Sequence, residues 1–171
     1  DSFYNKLLEK NLIYPCFMSD EELKIIRRNQ IAAGQPPRYS GNWANASEEE
    51  VKAEFAKGLK PVYRFRIPKD KTISFHDLVK GEQVFSGKDL DDFIVKKKDG
   101  NPTFMFANAI DDSLMQINVV LRGEDHLSNT PRQISLLDAL GLAIPTFIHV
   151  ALFIGNDGAP LSKRNGSLSV E

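Results

Sequence analysis

Residues 117–133 constrain the fold more than any other stretch, because the backbone preference changes there across a few charged residues. Ile117, Val119, Val120 and Leu121 form a short apolar run rich in β-branched side chains, which predicts a buried strand. Arg122, Gly123, Glu124, Asp125 and His126 follow without a break. A helix then begins: Thr130 is a candidate cap, Pro131 suits the first turn, and Gly141 stops it. Strand, polar crevice and helix is how an open α/β sheet offers a ligand site at the carboxyl ends of its strands. That order alone has little specificity, since many βα loops are charged simply because they are wet.

Upstream, Phe3, Leu7, Leu8 and Leu12 recur at helical spacing, so residues 2–13 are expected to form an amphipathic helix that Pro15 interrupts. Ser19 with Glu22, and Ser47 with Glu50, have the spacing of capping boxes. They open two helices, one carrying Leu23, Ile26 and Ile31 to Gly34, the other Val51 and Phe55 to Gly58. Residues 35–41 read as loop. The period then becomes two: Val62, Arg64 and Arg66 alternate with Tyr63, Phe65 and Ile67, a half-buried strand with a basic face. Short strands are expected around 73–75, 84–85 and 92–97, the last ending in a turn at 98–101. Residues 104–110 are preferred as helix, 146–154 as strand, 155–158 as turn, and 161–166 as a glycine-flanked polar loop.

Composition sets limits on these elements. With 42% hydrophobic and 26% charged residues the chain is an ordinary globular composition. No run approaches the roughly 18 apolar residues of a membrane span. The single cysteine excludes an internal disulfide. Residues 101–171 carry four Lys/Arg against seven Asp/Glu, and residues 1–100 carry 18 against 16. A nucleic-acid surface is therefore expected mostly in the first part, although the excess is too small to argue binding unaided. The chain begins inside a helical pattern without an initiator methionine, as expected of a cut from something longer.

The order Arg122-Gly123-Glu124-Asp125-His126-Leu127-Ser128-Asn129-Thr130-Pro131-Arg132-Gln133 resembles the catalytic domain of bacterial glutamyl-tRNA synthetases, which are class I aminoacyl-tRNA synthetases. Pro102-Thr103-Phe104 with Asn108, Asp111 and Asp112 upstream, and Leu161-Ser162-Lys163-Arg164 downstream, match that family in order and rough spacing. The resemblance covers essentially the whole chain. It implies an α/β fold: the second half of a Rossmann-like catalytic domain with an inserted α+β unit that binds the tRNA acceptor stem. Residues 1–13 would belong to the upstream catalytic half, 14–100 to the inserted unit, and 101–171 to the catalytic domain. An interrupted sheet of this kind is expected to expose a strand edge and apolar surface. The first class I signature, His-Ile-Gly-His, occurs nowhere here and in the family lies upstream of residue 1. A chain without it is expected to form no glutamyl-adenylate alone.

The resemblance further implies ATP-dependent activation of L-glutamate, with magnesium, and transfer to tRNA-Glu by a monomeric cytoplasmic parent enzyme, away from any membrane. Arg122 would hold the side-chain carboxylate of glutamate, because a guanidinium fork binds a carboxylate through two charge-assisted hydrogen bonds. A strand-end arginine paired locally with Glu124 or Asp125 is the plainer alternative. Asn108 would help hold the amino acid, or make structural hydrogen bonds only. Phe104 stands where Tyr is common and would be a pocket wall. Asp125 and His126 would border ATP; no general base is required, because the attacking carboxylate is already ionised and the transfer needs positioning and electrostatics. Leu152 and Phe153 would border the adenine. Lys163, with Arg164, would reach the departing phosphates as the catalytic ammonium, against the alternative of a solvated basic turn. Asn165 stands where His is more usual. Arg64 and Arg66 are candidates for RNA, or a solvated strand face.

Many relatives hold zinc in the inserted unit. Cys16 is present, but Met18 and Trp43 stand where further cysteines are expected, so no zinc and no other metal ligand set is expected and Cys16 reads as a small buried residue. Alternatives to the ligase are a glutaminyl enzyme, a paralogue that glutamylates a tRNA base, and a non-catalytic tRNA-binding or regulatory module. The long inserted unit and the Leu-Ser-Lys-Arg form argue against the first two. The state of the upstream signature separates the third.

Overall fold

A computed structural model describes residues 2–39 and 41–153. The terminal part of the strand expected over 146–154, the turn at 155–158 and the loop at 161–166 with Lys163 and Arg164 lie outside the described residues. Helix α1 (Ser2–Glu9) is shorter than its apolar spacing predicts. Asn11 takes a left-handed φ of 53°, and the Leu12 N–H reaches back to the Leu7 carbonyl, closing the helix in a Schellman-type turn. The chain leaves as strand β1 (Ile13–Cys16), which carries Pro15 in its middle. Proline is tolerated there because β1 is the edge of a sheet ordered β1-β2-β5.

Both capping boxes form. In α2 (Asp20–Ala32) and α3 (Glu48–Ala56) the cap serine accepts from the third residue's N–H, and the glutamate there reaches back. Ile31 is 62% exposed, so only Leu23 and Ile26 of the expected apolar side turn inward. Strands β2 (Val62–Phe65) and β5 (Phe93–Lys96) complete the first, antiparallel sheet with β1. Strands β3 (Thr72–Asp77) and β4 (Gly81–Ser86) form a hairpin, longer than the short strands expected.

The second half reads as expected in kind. Helix α4 (Phe104–Leu114) leads to strand β6 (Val119–Gly123), then a 3-10 turn (Glu124–Asn129), helix α5 (Thr130–Leu140) and strand β7 (Thr146–Val150). Thr130 does not cap α5, whose cap residue is Asn129; Gly141 ends the helix in the left-handed conformation, φ 67°. Strands β6 and β7 run parallel, and β3 adds to β7 in parallel, giving a sheet ordered β4-β3-β7-β6.

Two expectations change here. Strand β6 is not buried: it lies at the sheet edge with Val119 and Leu121 44% and 64% exposed, the open edge and apolar surface expected of an interrupted sheet. The strands also do not divide at residue 100. Hairpin β3–β4 shares a sheet with β6 and β7, and Phe65, Ile73, Phe93 and Val95 share one core with Leu7, Phe106, Leu136 and Leu137. Each large side chain buried this way contributes about 1.5–3 kcal/mol. A smaller cluster joins Tyr14, Cys16, Met18 and Tyr39. Among the described residues no helix is long and apolar enough to cross a membrane.

Candidate functional site

The carboxyl end of β6 delivers Arg122 into a cleft of about 360 Å³. Phe104, Asn108 and Asp112 of α4 line it, with His126 from the turn after β6. Helical spacing explains the first three: positions 104, 108 and 112 are one helix face. A roomier apolar cavity of about 480 Å³ lies elsewhere, between Leu12, Phe65, Ile73, Ile134 and Ile144. It gathers no polar network comparable to that behind Arg122, so the smaller cleft is the candidate site.

Arg122 does not pair with Glu124 or Asp125. Glu124 binds Lys80 instead, and Asp125 sits 3.7 Å from His126. The Arg122 Nε donates to His149 Nε2 at 3.1 Å, and Nη2 donates to Thr130 Oγ1 at 2.7 Å. The guanidinium carbon stands 5.2 Å from the Phe147 ring centroid. Burial pulls the Arg122 pKa down while the Asp112 and Asp125 carboxylates pull it back, and a guanidinium remains a cation throughout. Asp112 shares the cleft with its carboxyl pushed up, chiefly by burial.

His149 and Asp77 were not among the sequence candidates, yet both are fully buried directly behind the arginine. The β6–β7 register sets Arg122 opposite His149, and β3 ends beside them at Asp77. His149 Nδ1 lies 2.6 Å from Asp77 Oδ2, and the Val79 and Lys80 N–H groups donate to Asp77 Oδ1 at 3.0 and 2.8 Å. Burial pushes the Asp77 carboxyl up, but the Lys80 N–H, the His149 ring and the Val79 and His149 N–H groups outweigh it and hold the pKa at about 2. The faint signal was the inward alternation of Phe147 and His149 in β7.

A carboxylate whose folded pKa lies below its unfolded value near 3.9 stabilises the fold above that value, and the contribution is lost as pH falls through the folded pKa. Asp77 therefore contributes about 2–3 kcal/mol at pH 5, declining between roughly pH 4 and 2. Urea unfolding should show Asp77→Asn clearly weaker than wild type at pH 5, with the gap mostly closed near pH 2. A gap independent of pH would show that the anion is not what stabilises this end of β3.

The remaining candidates divide. Asn108 accepts from Gln133 Nε2 at 3.3 Å, which orients its amide towards α5. His126 is half-buried, with Nδ1 3.1 Å from Asn129 Nδ2 and its ring 6.4 Å from that of Phe104. Leu152 approaches Gly123 closely: a Cβ there would lie 2.9 Å from Leu152 Cδ2 and 2.5 Å from Asp125 Oδ1. Asp125 and Leu152 thus flank the end of β6, while Phe153 is 83% exposed. Arg64 is a correction. It is only 6% exposed, its guanidinium 3.7 Å from the Tyr39 ring centroid and its Nη1 donating to the Asp92 carbonyl at 2.9 Å. Arg66, half-buried over Tyr14 at 4.6 Å, is the more accessible of the two. The basic face expected on β2 is therefore covered by tyrosines rather than solvated.

The groups around Cys16 do not fit zinc. Its buried Sγ donates to the Tyr39 hydroxyl at 3.4 Å, and Met18 and Trp43 pack beside it as apolar filling. Purified protein is expected to hold far less than one zinc per chain by elemental analysis, and chelator should leave its Tm unchanged because no metal affinity is linked to folding. Stoichiometric zinc would mean that other side chains supply the ligands.

Comparison with known proteins adds to this geometry. The sequence model described as tRNA synthetases class I (E and Q), catalytic domain, matches residues 1–171. The chain is 56% identical over 167 residues to a glutamate–tRNA ligase 2 of Nitrosococcus oceani, covering 98% of the chain and 35% of that protein. It is 52% identical over 170 residues to a glutamate–tRNA ligase 1 of Methylococcus capsulatus, covering 99% and 36%. Among solved structures, the glutamate–tRNA synthetase of Elizabethkingia anophelis superposes with a TM-score of 0.84 at 33% identity, over 97% of this chain and 35% of that one. The chain therefore spans about a third of the length of the relatives it matches.

Proposed function

The chain belongs to the class I tRNA synthetases for E and Q, in their catalytic domain, and on that premise we propose that it contributes the amino-acid half of a glutamate-activating site. The observation that carries the reading is Arg122: a half-buried cation with no carboxylate partner among the described residues, at a strand end beside Asn108. A cation held this way attracts an anionic amino acid, and a planar fork binds a carboxylate in two places. Asn108 supplies an adjacent amide and Phe104 an apolar wall.

In this reading ATP lies along Asp125, His126, Leu152 and Phe153. With its side-chain carboxylate held by Arg122, glutamate attacks the α-phosphorus through its α-carboxylate, forming glutamyl-adenylate and releasing pyrophosphate. No proton need be removed, so the demand falls on alignment and on positive charge at the departing phosphates. Lys163 and Arg164, outside the described residues, are assigned to that charge, with magnesium accompanying the phosphates. The tRNA-Glu acceptor end then receives the glutamyl group, with Arg66 more accessible than Arg64 for RNA contact, and relatives named as glutamate–tRNA ligases support glutamate as the amino acid.

The deciding measurement is tRNA-dependent ATP–pyrophosphate exchange by the full-length protein with glutamate and with glutamine. Exchange with glutamate alone supports the proposal. Preference for glutamine, or no exchange with either, overturns it.

A further inference from the structure

The network behind Arg122 fixes which nitrogen of His149 carries the proton. A guanidinium cannot accept, so His149 Nε2 must hold a lone pair where Arg122 Nε donates to it. The ring proton is then on Nδ1, where the Asp77 carboxylate accepts it at 2.6 Å. Protonating both nitrogens would set Nε2–H against the Nε–H of Arg122. Asp77 cannot turn away either, since the Val79, Lys80 and His149 N–H groups hold both its oxygens. Thr130 fixes a second point on the arginine through Nη2, and its hydroxyl lies 3.0 Å from His149 Nε2. Asp77, His149 and Thr130 are all fully buried. They come from two adjacent strands, β3 and β7, and from the first residue of α5.

Together these contacts engage the Nε–Nη2 edge of the guanidinium, and Nη1 has no hydrogen-bond partner among the described residues on a side chain that lines the cleft. Resting on the reading of Arg122 above, we propose that Asp77, His149 and Thr130 are positioning residues for substrate recognition. They lock the Nδ1–H tautomer of His149, so that Nε2 acts as an acceptor towards Arg122 and aims the free edge of the guanidinium at the side-chain carboxylate of the substrate. They touch no substrate themselves. The arrangement discriminates by direction as well as charge, because a bidentate fork rewards a planar anion in one orientation.

The test uses isosteric variants of the full-length protein, with rates expressed per active site titrated by the adenylate burst. An asparagine amide can mimic Nδ1 of histidine and a glutamine amide can place its oxygen near Nε2. His149→Asn keeps the donor to Asp77 and removes the acceptor for Arg122. It is expected to lower kcat/KM for glutamate about 10- to 100-fold while the KM for ATP stays within about threefold. His149→Gln restores an acceptor and should recover most of that loss. Thr130→Val, which preserves shape, should lower glutamate kcat/KM about 10-fold with the same sparing of ATP. In an Arg122→Ala background His149→Asn should cost nothing further for glutamate, as expected of residues acting through one another. Equal losses for ATP and glutamate, a loss confined to the active fraction, or full additivity with Arg122→Ala would overturn the positioning role. If Arg122→Ala itself spares glutamate, the substrate reading fails; if it impairs glutamate while His149→Asn and Thr130→Val do not, only the positioning role fails.

Discussion

Replacing Arg122 by alanine in the full-length protein is expected to lower kcat/KM for glutamate by about 30- to 1,000-fold, equivalent to about 2–4 kcal/mol of lost transition-state binding. Two costs combine. The carboxylate loses a charge-assisted contact in a cleft whose other charged lining residue, Asp112, is itself a carboxyl group. His149 Nε2 and Thr130 Oγ1 also lose the donor that now reaches them. Lysine keeps the charge but not the fork. It can meet only part of what the guanidinium joins, so Arg122→Lys should fall between wild type and alanine. The KM for ATP should stay within about threefold for both variants. A near-wild-type KM and kcat for glutamate in Arg122→Ala would sink the assignment.

What could be read before any coordinates depended on the range of the interaction. The capping boxes at Ser19 and Ser47 and the stop at Gly141 are set within a few residues, and all three form. The cleft itself was legible because Arg122 and His126 share one strand end and Asn108 follows Phe104 by one helical turn. Contacts set by strand pairing were not. Asp77 and His149 are 72 positions apart, and nothing local in either stretch announces that β3 adds to β7. The same blindness placed Arg64 on a solvated face. Alternation assigns a side chain to one side of a strand but not to what covers that side, and here Tyr39 closes over it. Strand β1 was hidden for another reason: Leu12 continues the helical spacing, and Pro15 reads as a break unless the strand is known to be an edge. The apolar run of β6 suggests burial, yet the strand is exposed at a sheet edge, because composition reports the preference for a strand more directly than its place in the sheet.

Leu136→Ala tests whether the core is as continuous as its packing indicates. Leu136 is fully buried in α5, which packs on α1, α4 and β3. Its neighbours in the same core include Phe65 of β2 and Phe93 and Val95 of β5, which come from the region expected to fold as a separate unit over 14–100. Removing the side chain is expected to destabilise the fold by about 3 kcal/mol, combining lost transfer energy with the cavity left behind. In a chain of this size that corresponds to a fall of roughly 6–12 °C in Tm. The more discriminating quantity is where protection is lost. If the core is one cooperative unit, amides of Val62–Phe65 and Phe93–Lys96 should exchange faster in step with those of Thr130–Leu140. Two independent units would behave differently: α5, β6 and β7 would lose protection while β2 and β5 kept theirs, and melting would split into two transitions. The shared sheet favours the first outcome. Hairpin β3–β4 cannot belong wholly to the early unit while Asp77 is held by the backbone and ring of His149. Weakening α5 should therefore also loosen the anchor of Arg122, lowering the fraction of molecules able to bind glutamate as the temperature approaches the new midpoint.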